Sequence, residues 1–265
     1  MSAPARFVVA VGSGKGGVGK STVSLNLALA LRESGARVGL LDADFYGPDI
    51  PLMVNVTRTT PLKSWGFWQR SGQPRLDPLE RYGLRLMSVG FLLAENQPLS
   101  WPAQMVEFVG RQLVHDVRWG DLEYLIVDLP PGTADLQQQL LALLSLSGAL
   151  VIVTPQDVAH LDAKKVLAML ADAAVPVLGA VENMSALVCP HCGKEVDVFP
   201  RVSESRSIWS AGVTRLGTIP LDPALARAGE DGKPLLISDP SGPQAEAFRS
   251  IASAVTRELE RRGAA

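Results

Sequence analysis

Cysteine is nearly absent: 265 residues contain two, with three histidines beside them. So few sulfurs in a chain of this size exclude a disulfide framework and leave redox chemistry or metal ligation as uses for the pair. An excess of one charge is missing too. The 25 Lys and Arg stand against 27 Asp and Glu, a net charge of −2, and no dense basic run occurs, which removes the electrostatic footprint of a nucleic-acid binder. Nor is there an uninterrupted apolar run of the roughly 20 residues that a bilayer span needs. The most apolar stretch, Leu140 to Val153, is broken by Ser145, Ser147 and Gly148, and predicts a helix end, a turn and a buried strand. Met1 to Arg6 lack the charged-then-apolar pattern of a secretory leader. Together these absences predict a soluble, cytoplasmic protein that engages neither membrane nor nucleic acid.

What remains is a chain that is 47% hydrophobic, enough to bury one large core, so residues 1–265 are expected to form a single domain. Strand-like and helix-like segments alternate, which predicts an α/β fold: a mostly parallel sheet with helices on both faces. Strands are expected at Phe7–Val11, Val38–Leu41, Leu84–Val89, Leu122–Val127, Ala149–Val153 and Val177–Val181. Helices are expected at Ser21–Arg32, Trp101–His115, Leu161–Ala173 and Gln244–Arg262. The segment 57–78 breaks the alternation, with five Pro and Gly residues around Trp65, Phe67 and Trp68. It predicts an irregular insertion.

The chemistry begins at Gly14-Lys15-Gly16-Gly17-Val18-Gly19-Lys20-Ser21, followed by Thr22. It meets the spacing G-x-x-x-x-G-K-S/T at every fixed position, after an apolar strand and before a helical pattern. Such a loop turns its backbone N–H groups toward a polyphosphate; Lys20 reaches the terminal phosphates and the Ser21 hydroxyl suits Mg2+. The helix N-terminus adds partial positive charge. Residues 14–22 are therefore the expected ATP-binding loop of a P-loop NTPase. Lys15 is a second lysine, unable to reach phosphates wrapped by its own loop and free to point outward.

Two strand ends carry acid. Asp128 follows Leu125-Ile126-Val127 and precedes Leu129-Pro130-Pro131-Gly132, as a Mg2+-binding carboxylate should. Asp42-Ala43-Asp44 closes another predicted strand. Ligands gather outside the carboxyl ends of parallel strands, and paired carboxylates beside a magnesium triphosphate can order water for attack. For the base, Asn183, whose amide both donates and accepts, and the turn Ile219-Pro220-Leu221-Asp222-Pro223 are the candidates. A turn-forming role for Asn183 competes. His115 and His160 lack partners at metal spacing and read as surface or capping histidines, and His191 as a spacer.

The loop from Gly14 to Ser21 resembles the deviant Walker A loop of the ATPases for chromosome partitioning, division-site selection, arsenite pumping and iron–sulfur delivery. With Asp42-Ala43-Asp44-Phe45-Tyr46-Gly47-Pro48, Asp128-Leu129-Pro130-Pro131-Gly132-Thr133, Asn183-Met184-Ser185, Cys189-Pro190-His191-Cys192-Gly193 and Ile219-Pro220-Leu221-Asp222-Pro223, the chain is similar to Mrp/ApbC-type iron–sulfur cluster carriers from about Val8 to Pro223. The resemblance implies that Lys15 crosses a homodimer interface to the partner's nucleotide, that Lys20 and Asp44 serve hydrolysis with Asp44 positioning the water, and that Asp42 supports Mg2+ with Ser21 and Asp128. It implies Asn183, Pro220 and Asp222 at the base. The chain departs from the pattern at Ala134, at Pro102-Ala103-Gln104 and at Pro200-Arg201-Val202-Ser203, none of them a phosphate or thiolate ligand.

Cys189 and Cys192 sit in a C-x-x-C loop expected near 186–200. Iron–sulfur clusters normally take four thiolates, and a chain with two needs a second copy. Two chains would then bridge one 4Fe-4S cluster at Cys189 and Cys192, to be received from scaffold donors and passed to apoprotein acceptors. Four thiolates would also suit structural zinc in a partitioning or targeting ATPase, and a dithiol pair or two inert cysteines stay open. The expected activity is slow ATP hydrolysis coupled to cluster binding or transfer.

Overall fold

The structure, a computed structural model, describes residues 4–56, 76–92, 103–132, 135–189 and 191–263. The first strand β1 (Ala5–Ser13) runs into the glycine loop and helix α1 (Lys20–Glu33). The chain continues through β2 (Val38–Asp42), α2 (Ile50–Met53), β3 (Leu79–Arg81), β4 (Leu84–Ser88), α3 (Ala103–His115), β5 (Leu122–Asp128) and α4 (Asp135–Leu143). After β6 (Gly148–Val153) come α5 (Asp157–Asp172), β7 (Val177–Val188), β8 (Glu195–Val196) and β9 (Arg215–Leu221). It ends with α6 (Pro223–Glu230), α7 (Leu235–Ser238) and α8 (Pro243–Gly263).

Among the described residues nine strands form one sheet in the order β3-β4-β2-β5-β1-β6-β7-β8, with β9 also on β7. All pairings are parallel except β3 on β4 and β8 on β7. Consecutive residues of β1, β2, β5 and β6 are buried, Val8 to Ser13 without a break. A strand buried at both parities of its pleat is covered on both faces, as parallel sheets require. The expected mostly parallel α/β fold is what the chain adopts.

In helix α1 every residue from Val23 to Leu31 is buried, more than the one apolar stripe of Val23, Leu27, Ala28 and Leu31 that a surface helix would bury. The reason is α8, which packs along the side of α1 and onto β9. The apolar stripe Ile251, Ala252, Val255 and Leu259 of α8 is buried, while Glu258 pairs with Arg261 and Arg262, each at 2.7 Å, on its exposed side. Among the described residues no helix is long and apolar enough to cross a membrane.

Three boundaries differ from expectation. Helix α5 begins at Asp157, four residues before the predicted Leu161. Strand β7 runs to Val188 rather than ending at Val181. The loop expected at 186–200 is a hairpin in which Leu187 and Val188 pair with Val196 and Glu195. Of the insertion expected at 57–78, only 76–78 fall within the described residues, where Leu76 bridges Val117; Trp101, Pro102, Thr133 and Ala134 lie outside them too.

Candidate functional site

Parallel register puts the acidic strand ends side by side. Asp42 lies opposite both Asp128 and Ser88, and Asp128 opposite Val11, two residues before β1 ends in the loop. The loop's turn is made by Gly17 (φ +77°) and Gly19 (φ +82°), the latter at the N-cap of α1. Only glycine adopts that region without strain, and at Gly19 a Cβ would also collide with the Asn183 side chain. Gly14 is needed for another reason: its α-carbon lies against the backbone of Asp162 in α5.

Lys20 is buried with its Nζ 2.8 Å from Asp128 Oδ2 and 3.6 Å from Asp44 Oδ2. Ser21 Oγ donates to the same Asp128 oxygen at 2.6 Å, and Ser24 Oγ donates to Asp128 Oδ1, also at 2.6 Å. Burial opposes the charge on Lys20, but the ion pair and hydrogen bond with Asp128, helped by Asp44 and Asp42, hold its pKa above the usual lysine value. Asp42 is fully buried. Desolvation and the neighbouring Asp128 push it up to about 8, against the Ser88 hydroxyl, which donates to its Oδ2 at 2.8 Å, against Lys20, and against the Asp44 N–H. Asp44 is raised by burial as well, though Lys20 and the Gly47 N–H oppose this. Its Oδ1 accepts from the N–H groups of Tyr46 and Gly47, at 3.3 and 3.1 Å, while Oδ2 faces Lys20. Asp128 and the Ser21 hydroxyl beside Lys20 are hard oxygen donors of the kind that Mg2+ takes.

Lys15 Nζ donates to Gln156 Oε1 at 3.2 Å. Asn183 is buried beside the loop, where its Nδ2 donates to the Val18 carbonyl at 2.8 Å. Thr22 lies on the first turn of α1, its carbonyl accepting from Asn26. The Asp222 carboxylate caps α6 through the Ala224 N–H at 2.7 Å, with Pro220 just before it in β9. Asp222 is thus engaged with backbone in this form.

Cys189 and Cys192 are free thiols on the turn between β7 and β8, where Cys189 exchanges backbone hydrogen bonds with Lys194 and Gly193. The N–H groups of His191 and Cys192, and then the Cys192 thiol itself, lower the pKa of Cys189 below the ordinary thiol value. Among the described residues of this turn no helix begins. Among the described residues no three His, Cys, Asp or Glu side chains are grouped as a metal site.

Ser24, Ser88 and Gln156 were not picked out from sequence. Ser24 had a signal: it stands one helical turn beyond Lys20 and so shares its face. Ser88 and Gln156 are assigned by sheet register and loop packing. His160, read as a surface or capping histidine, is corrected in the surface half of that reading. It is completely buried, accepts the Ile208 N–H at Nδ1 (3.2 Å) and stacks edge-on to Trp209.

The family described as NUBPL iron-transfer P-loop NTPases matches residues 5–256 of this chain. An iron–sulfur cluster carrier protein of Aquifex aeolicus is 41% identical over 256 residues, covering 96% of this chain and 68% of its own length. The mouse iron–sulfur cluster transfer protein NUBPL is 42% identical over 257 residues, covering 96% and 78%. A nucleotide-binding protein from Archaeoglobus fulgidus, solved with ADP, superposes with a TM-score of 0.75 at 31% identity, over 92% of this chain and 93% of that one.

Proposed function

The chain belongs to the NUBPL iron-transfer family of P-loop NTPases, and on that premise we propose that it hydrolyses ATP while holding an iron–sulfur cluster between two copies of itself and delivering it to apoproteins. One observation carries the reading. Strand β7 places Asn183 against the phosphate loop and ends one residue before Cys189, so the nucleotide site and the thiols share one strand. The chain owns two cysteines in all, half the usual complement for a cluster, and their exposed turn leaves room for the other half from a second copy.

The loop N–H groups and Lys20 would neutralise the ATP phosphates. Arrival of that negative charge would draw Lys20 from Asp128 and Asp44, freeing carboxylate oxygens for a cation. Ser21 and Asp128, with Asp42 beside them, would hold Mg2+, whose charge would offset the negative charge developing on the phosphates. Asp44, its Oδ1 pinned by Tyr46 and Gly47, presents Oδ2 to orient the attacking water. Lys15 would leave Gln156 for the partner's nucleotide, making turnover slow until two copies close. Asn183, with Pro220 and Asp222 nearby in sequence to the end of β9, would meet the adenine.

Anaerobic reconstitution with iron and sulfide tests this. Wild type should take up iron, and Cys189→Ala should take up none. A cluster that persists in Cys189→Ala overturns the bridging site, and zinc at one ion per two chains in place of iron would assign the cysteines to a structural zinc in a targeting-type ATPase.

A further inference from the structure

Between the two ends of β7 the strand is irregular. Its pairing with β9 loses register between Asn183 and Leu187, and Met184 within that interval has φ +56°. A non-glycine residue in the left-handed region stores strain, and a bulge bends the strand and interrupts its ladder. Glu182, just before the bulge, is buried, and its Oε1 has no hydrogen-bond partner among the described residues. What compensates it is a pair of arginines at ion-pair distance, Arg201 at 3.7 Å from Oε1 and Arg215 at 3.7 Å from Oε2.

The Arg201 guanidinium reaches three places at once. Nη1 faces Glu182 on the nucleotide side of the bulge. Nη2 donates to the Ser185 carbonyl inside it, at 3.3 Å. Nε and Nη2 donate to Asp197 Oδ1, at 3.0 and 2.8 Å, directly after the strand that closes the cysteine hairpin. The next residue is anchored as well: the Val202 N–H donates to the Pro155 carbonyl at 2.8 Å, beside the Gln156 that holds Lys15. Two of the contacts that leave the phosphate loop, Asn183 to Val18 and Lys15 to Gln156, therefore end next to groups that Arg201 or its neighbour grips.

We propose that Arg201 is the positioning residue that transmits nucleotide occupancy from the phosphate loop to the Cys189/Cys192 turn. A planar guanidinium with five donors can hold a carboxylate and a carbonyl together, so a shift of Asn183 relative to Val18 moves the bulge, Arg201 and the Asp197 end of the hairpin as one unit. The inference rests on the reading of Cys189 and Cys192 as cluster ligands, but its test uses thiols free of any cluster, so its failure would leave that reading standing.

The experiment is the rate of iodoacetamide alkylation at Cys189 and Cys192, followed by mass spectrometry on reduced, cluster-free full-length protein with and without Mg-ADP. In wild type, Mg-ADP should change the rate about five-fold or more, the low end of a typical coupling between sites. Arg201→Ala should bind Mg-ADP with near wild-type affinity yet show the same alkylation rate in both conditions. Asp197→Ala, an exposed change that cuts only the hairpin half of the link, should do the same, and decides the matter if Arg201→Ala fails to fold. Wild-type thiols indifferent to Mg-ADP, or a folded variant that keeps the full wild-type response, would overturn the proposal.

Discussion

Lys20 carries a charge into a site where water is scarce, and it is tolerated because Asp128 and Asp44 are already there. The glycines around it matter through two separate effects, backbone hand and space. Gly19→Ala meets both, because φ is +82° and its Cβ would strike Asn183. It should cost roughly 1–3 kcal/mol in urea denaturation and weaken ADP in titration, whereas an effect on neither would deny the close packing of Asn183 on the loop. His160 gives the pH dependence. Burial, with Arg215 and Lys164 nearby, lowers its pKa from 6.5 to about 4. The unfolded chain thus binds a proton between pH 6.5 and 4 that the folded chain refuses, so the contribution of His160 is full above about pH 6.5 and is lost as pH falls toward 4. Buried Asp42, raised to about 8, contributes with the opposite sign over the same range. The difference in melting temperature between wild type and His160→Gln should therefore grow as pH rises from 4 to 6.5. The buried state of this histidine was not legible, because Ile208 and Trp209, which enclose it, come from a segment remote in sequence.

At the scale of elements, the contact of α8 with β9 makes a sharp prediction. Gly217 has no side chain, and Ile251 fills the space a Cβ would take. Ile251→Ala opens a cavity there and should cost about 2–5 kcal/mol, read by chemical denaturation, with ADP affinity unchanged because the phosphate loop lies elsewhere. The sequence announced α8 through its four-residue stripe and the glycine loop through local spacing. It did not announce the length of β7. A turn-forming role for Asn183 competes in the sequence, and the strand continues past it with β9 pairing at Asn183 and Leu187 and β8 at Leu187 and Val188. Helix α6 had its start written in Asp222-Pro223, a cap followed by proline at the first helical position. That carboxylate was assigned to the base instead, since the same Asp-Pro pair carries the family resemblance.

For the whole molecule, the proposed function divides the site into a part complete in one chain and a part that is not. Lys20, Ser21, Asp42, Asp44 and Asp128 converge within a single copy, and their convergence was legible because parallel strands deliver their carboxyl ends to one edge. Lys15 is bonded to Gln156 rather than to those carboxylates, and the sequence holds two cysteines. Lys15→Ala should therefore retain nucleotide binding by equilibrium titration and lose nearly all ATP turnover; loss of binding would instead make it a ligand in its own loop. The pairing of copies is tested most directly by native mass spectrometry of anaerobically reconstituted protein. The account predicts that the 4Fe-4S cluster is found only at the mass of two chains, one cluster per pair, and that Cys192→Ala shows no cluster at any mass. A cluster carried at the mass of a single chain would contradict it.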